Sequence, residues 1–394
     1  MSSARLALLA LAFFVAGLGC GEDASPPPIQ PSTGPGAGGP GGGATGGAGG
    51  AGGGAGTGGF SEAMCDDTTA SPVEIYPDGS SLGLRQLVAI GGRWLASGSN
   101  GWVTFDLDGT NPDTGVTALA DKFNVIADEG DVAGIAAGSD NWVGYQRLGP
   151  AGPVTGIRSL ANLDSDGVTT AATAAGDAVT VWGYNGKLTM RVVDAAGGVP
   201  NEAVDVALGA YSGSLRLRSA GRDDRVGLVW FGSDVVGIFQ TWFLPLAPGG
   251  AVADPLLLHE TTPVQHDLHR VVATDKGFSV LISDDDLTPR LLSVDPMGVE
   301  IESLELPGIA AVYDLATNGN ELAVLAGRST GEPQVRVFDA ALDPVGPWVC
   351  VSGPENLAVP PAVAADGSGW AVLFQSENGA SSMIRVDATG AGAP

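Results

Sequence analysis

One short run, closed by an acidic or turn residue, returns seven times along this chain. The copies are WVTFD ending at Asp106, WVGYQ at Gln146, MRVVD at Asp194, TWFLP at Pro245, LLSVD at Asp295, VRVFD at Asp339 and MIRVD at Asp387. They stand about 47 residues apart. Turn chemistry follows most of them, as in DAAGG, LAPGG, DPMG, DPVG and DATG. Upstream of each copy a tight turn opens into an apolar run, for example AIGGRWLASG, AAGDAVTVWG and ATNGNELAVLAG. Many of these runs are apolar on both faces, the pattern of strands covered on both sides.

A period in the forties, built from several short strands and almost free of helical periodicity, predicts an all-β seven-bladed β-propeller. Each unit reads as an inner, a second, a third and an outer strand, with EIESLEL (Glu300 to Leu306) an example of the last. The seventh copy runs out at SSMIRVDATGAGAP with no outer strand to follow. SPVEIYP (Ser71 to Pro77) precedes the first inner strand and has no partner of its own. The ring is therefore expected to close with SPVEIYP as the outer strand of the last blade, which removes an open sheet edge. A two-sheet sandwich is the alternative. The pattern resembles the broad WD40-like class in architecture, without its Gly-His and Trp-Asp signature. That resemblance implies a fold and no activity.

The N-terminus has a different character. Arg5 precedes the apolar run LALLALAFFVAGL (Leu6 to Leu18), then Gly19 and Cys20. About 13 apolar residues suit a signal h-region better than a membrane span. The stretch resembles a bacterial lipoprotein signal, with Gly17 where that family usually has leucine. The resemblance implies that Cys20 is acylated and becomes the mature N-terminus, joining the protein to a membrane; several acyl chains would hold it stably. An ordinary cleaved signal is the alternative. Residues 22–59, SPPPIQPSTGP and then a glycine tract, cannot bury a core and read as a tether. The expected organisation is a signal over 1–19, a disordered Pro/Gly-rich tether over 20–64 and a propeller over 65–394. The expected location is the bacterial cell envelope, at the outer membrane or cell surface, with the head in the periplasm or outside.

Charge narrows the partners. Asp and Glu outnumber Lys and Arg by 44 to 18, a formal net charge of −26. Such a surface repels nucleic acid, whose binding needs clustered cations, and it does not favour anionic lipid. A monomer is expected. Of the three cysteines, if Cys20 carries lipid, Cys65 and Cys350 remain as a pair for a structural disulfide in an oxidising compartment.

No stretch assembles convincing chemistry. NLDSDG offers Asn162, Asp164 and Asp166 as a weak Ca2+ site, but Thr173 stands where an EF-hand needs glutamate. Read as turns, DLDG and SDDD need no ligand. HDLH puts His266 and His269 on opposite faces of a strand. GRSTG matches a nucleophile-elbow string, yet a strand follows it rather than a helix. Trp182 and Trp230 fall at equivalent places in their repeats and read as core. The expectation is a non-catalytic binding or scaffolding head for an unknown protein or glycan ligand, with no cofactor. The alternatives are an extracellular hydrolase or lyase on a glycan or peptide, using channel-mouth carboxylates, and a purely structural envelope protein.

Overall fold

The structure is a computed structural model. It describes residues 66–67, 72–76, 82–98, 101–115, 125–128, 130–138, 141–207, 209–212, 215–233, 238–261, 268–283, 288–327, 332–351, 357, 359–377 and 380–387. The signal, tether, Cys20 and Cys65 readings all fall outside these residues.

Seven sheets follow one another in chain order and form a seven-bladed propeller, with no helix among the described residues. Blade 1 comprises Leu84–Ile90, Arg93–Gly98, Trp102–Asp106 and Asp113–Gly115. Blade 2 comprises Val125–Asp128, Ala133–Gly138 and Val143–Gly149, its outer strand broken into Gly152–Pro153 and Arg158–Ala161. Blade 3 runs Gly167–Ala172, Ala178–Tyr184, Lys187–Val193 and Val204–Ala207. Blade 4 runs Leu215–Arg222, Arg225–Ser233 and Phe239–Ala247, again with a broken outer strand, Gly250–Ala251 and Leu256–Thr261. Blade 5 is Leu268–Thr274, Gly277–Ser283, Arg290–Val294 and Glu300–Glu305. Blade 6 is Ala311–Thr317, Glu321–Gly327, Pro333–Asp339 and the two-residue Val349–Cys350.

Blade 7 takes Ala362–Ala365, Trp370–Gln375 and Ser381–Val386 from the C-terminal end and Val73–Tyr76 from the N-terminal end. The closing strand pairs antiparallel with Ser381–Val386, as the leftover SPVEIYP predicts. One more N-terminal piece was not foreseen as a strand. Asp66–Asp67 adds in parallel to the outside of blade 6, with Asp66 opposite Val349 and Asp67 opposite Cys350.

The core lies between the blades. Seven clusters of buried apolar side chains are found among the described residues, one at each seam. Trp94, Phe105 and Met383, for instance, pack together between blades 7 and 1, and Phe243 packs against Phe278 between blades 4 and 5. This explains why the strands are apolar on both faces: each sheet is covered by two neighbours. Gly221 reflects how close they come, since a Cβ there would overlap the Ala172 carbonyl oxygen of the previous blade.

The recurring aspartate at the end of the third strand, or just past it, builds the same hairpin in four blades. The Asp106, Asp194, Asp295 and Asp339 amides donate to the carbonyls of Thr110, Gly198, Val299 and Asp343, each four residues on. The fourth residue of each loop takes a left-handed conformation, Gly109 at φ +87°, Gly197 at +80°, Gly298 at +87° and Leu342 at +58°. The Asp295 carboxylate closes its own loop by accepting from the Met297 and Val299 amides, both at 2.8 Å.

Arginines join the seams where apolar packing ends. Arg147, 4% exposed, donates to the Asp194, Ala195 and Gly176 carbonyls of blade 3 and stacks over its neighbour Tyr145. Arg93 reaches the Pro150 carbonyl of blade 2, Arg191 the Leu160 carbonyl of blade 2, and Arg222 the Thr274 carbonyl of blade 5. Arg385 reaches Leu107 at 3.0 Å and so ties blade 7 to blade 1.

Candidate functional site

The channel edge of each blade is its inner strand. Each inner strand packs against that of the next blade, and that of blade 7 against that of blade 1. The hairpin registers place Gln86, Val125, Thr169, Arg218, Arg270, Asp314 and Ala362 at equivalent positions on the seven inner strands. They lie opposite Ser97, Ala136, Val181, Val229, Leu281, Leu325 and Leu373. Polar residues at this level thus run from blade 3 through blade 6.

These groups are engaged with one another across seams. Arg270 Nε meets Asp314 Oδ1 at 2.8 Å, and Arg270 also donates to the Tyr313 carbonyl. The other oxygen of Asp314 accepts the Val363 amide of blade 7 at 3.0 Å. One carboxylate therefore links three consecutive blades. The Thr169 and Ser219 hydroxyls lie 2.8 Å apart between blades 3 and 4. With a donor on each oxygen, Asp314 is built as a clasp rather than as an open acid or base.

Inner strands also carry an unexpected charge. Arg85, Arg216, Arg218, Arg222 and Arg270 sit on them, in a chain with only 18 Lys and Arg. The inner strands carry two aspartates against these five arginines, Asp128 at the end of blade 2's strand and Asp314 in blade 6. The channel edge is thus richer in cations than the rest of this acidic protein. The RxR pattern in LRLRSAGR carried that signal, but the level at which the strands align did not show in the sequence.

The candidate residues fall in separate places. Asn162, Asp164 and Asp166 lie on the exposed approach to blade 3. Asn162 Oδ1 accepts from Ser159 at 3.2 Å, and Asp166 Oδ2 accepts from the Tyr211 hydroxyl at 2.5 Å. Burial and that carboxylate push the Tyr211 phenol far above its ordinary value. No group of three or more His, Cys, Asp or Glu able to hold a metal ion occurs among the described residues. His269 is buried at the inner edge of blade 5 against Phe231, while His259 lies on the outer strand of blade 4. His266 lies outside the described residues, as do 284–286 of SDDD and 328–331 of GRSTG. DLDG forms the Asp106 hairpin. Trp182 and Trp230 are buried at matching positions of their second strands, opposite Val168 and Leu217. Cys350 pairs with Gln334 on one side and Asp67 on the other.

No protein-family profile and no curated protein matches the chain. Solved structures do. A prolyl endopeptidase matches with TM-score 0.52 and 13% identity, over 80% of this chain and 50% of that one. The amino-terminal part of BBS1, solved in complex with ARL6, matches with TM-score 0.48 and 16% identity, over 82% and 99%. The Dos1 propeller matches with TM-score 0.45 and 13% identity, over 76% and 78%. At such identities the likeness is one of fold.

Proposed function

We propose that this protein is a non-catalytic binding or scaffolding module, exported and held at a bacterial cell envelope by lipid on Cys20. One observation carries the binding reading. Several polar side chains of the inner strands make blade-to-blade contacts, chiefly the Arg270, Asp314 and Val363 clasp and the Thr169–Ser219 pair. A frame held so tightly suits a rigid platform whose loops present a surface. Cys65 and Cys350 form a disulfide in this reading. The pairing of Asp67 beside Cys350 supports it, because it brings the chain next to Cys65 along the Cys350 strand.

The anchor and the binding role are tested separately. Radiolabelled palmitate is expected in the full chain and absent from Cys20→Ser; label retained by the variant overturns the anchor. For the binding role, the full chain is incubated with envelope glycans and peptides while products are followed by mass spectrometry. Unchanged substrates are expected. Turnover of any of them by the purified full chain, absent from a heat-unfolded sample, overturns the non-catalytic reading.

A further inference from the structure

The outer rim of blade 5 differs from the other rims. Outer strands elsewhere are short or interrupted: three residues in blade 1, four in blades 3 and 7, and two pieces each in blades 2 and 4. Blade 6 has its outer strand covered by Asp66–Asp67. Blade 5 keeps its outer strand in one piece of six residues, Glu300–Glu305, with a register shift at Ile301 and pairing on its inner side alone among the described residues; the second piece in blade 4, Leu256–Thr261, is as long but follows a break.

This edge also collects exposed apolar surface. Met297, Val299 and Ile301 are 52%, 60% and 54% exposed. At the end of the strand a small open groove is lined by Leu304, Leu306, Pro307, Phe338, Pro344 and Trp348. Arg336 forms part of the wall. Its guanidinium lies 5.6 Å from the Phe338 ring centre and 5.9 Å from that of Trp348, and its Nε donates to the Gly346 carbonyl. Burial draws the Arg336 pKa down from its ordinary value.

We propose that this edge and groove bind an extended cationic peptide whose side chains alternate basic and apolar. The backbone of the edge supplies hydrogen bonds to an added strand. Glu300 and Glu302 lie opposite the uncharged Val294 and Ser293, so no cross-strand partner offsets their charge; Glu305 lies opposite Arg290. The groove takes an apolar anchor. A second copy of this chain fits poorly, because edge-to-edge pairing would set glutamate against glutamate. A basic strand meets those carboxylates with opposite charge, in a protein of net charge −26.

The inference rests on the binding-module reading and names one surface for it. The probe is a fluorescein-labelled octapeptide of alternating lysine and leucine, titrated into the full chain and followed by anisotropy. Saturable binding that weakens with added salt is expected. The double variant Glu300→Lys, Glu302→Lys, on exposed positions, is expected to weaken it about tenfold or more. Trp348→Ala is expected to weaken it as well, whereas the channel variant Arg216→Glu leaves it unchanged. Equal affinity of the charge-swapped protein, equal binding of a glutamate–leucine octapeptide, or no binding by the unaltered chain overturns the rim assignment. Each of those results leaves the binding-module reading standing, since that reading fails on substrate turnover.

Discussion

At the scale of single residues, short-range hydrogen bonding decides more than residue type. Asp366 in the blade 7 hairpin shows how. Burial alone would raise its carboxyl. The Ser368 amide and hydroxyl and the Arg385 guanidinium outweigh that and hold it below the ordinary carboxylate value. A lowered folded pKa contributes stability that is present above the unfolded value and lost as pH falls through the folded one. Asp366→Asn is therefore expected to lower the urea midpoint at neutral pH, and the gap should shrink once the pH drops below about 4. A gap independent of pH would mean that the charge contributes nothing. Leu342 shows a limit of reading residues singly. The repeat predicts glycine chemistry at its place, yet the loop keeps a left-handed leucine that is 3% exposed. The strain of about 1–2 kcal/mol is offset by burying a side chain whose loss costs about 2–5 kcal/mol.

At the scale of elements, five of the seven seams combine an apolar cluster with an arginine that reaches a carbonyl of the neighbouring blade. Arg147 makes the largest set, three carbonyls and the Tyr145 hydroxyl. Arg147→Met would keep the stem's packing but leave those carbonyls without the guanidinium, so it should cost about 2–4 kcal/mol, read from urea unfolding. A change under about 0.5 kcal/mol would mean that water replaces the guanidinium freely. These contacts had a trace in the sequence that was easy to pass over. Arg147 and Asp194 are 47 residues apart, one repeat, and Arg222 and Thr274 are 52 apart. Residues one period apart meet when repeats stack, but sequence does not reveal which level of each strand faces which. The cationic inner edge stayed hidden for the same reason; channel-mouth carboxylates belonged to the alternative, enzymatic reading.

At the scale of the whole molecule, the blade count and the closure were legible, because turn chemistry and strand runs share one period, one strand is left over at the N-terminal end and one is lacking in the last repeat. The pairing of Asp66–Asp67 was not, since two aspartates carry no strand signal. Closure makes its own prediction. A chain starting at residue 65 should unfold in one cooperative step. A chain starting at 78, without Val73–Tyr76 and the buried Ile75, should unfold at lower temperature and be cut by protease within blade 7. Equal midpoints for the two would show that the ring holds without its closing strand.

The order of the two N-terminal attachments has a mechanical meaning. Tension arriving along the chain from residue 65 meets Asp66–Asp67 on blade 6 first, and reaches the closing strand of blade 7 only after that pairing has parted. The arrangement works as the cable grip does at the entry to an instrument housing. With Cys65 bonded to Cys350 as proposed, the pull would pass covalently into the rim of blade 6. The strand that keeps the ring shut would then hang slack however hard the leash is drawn.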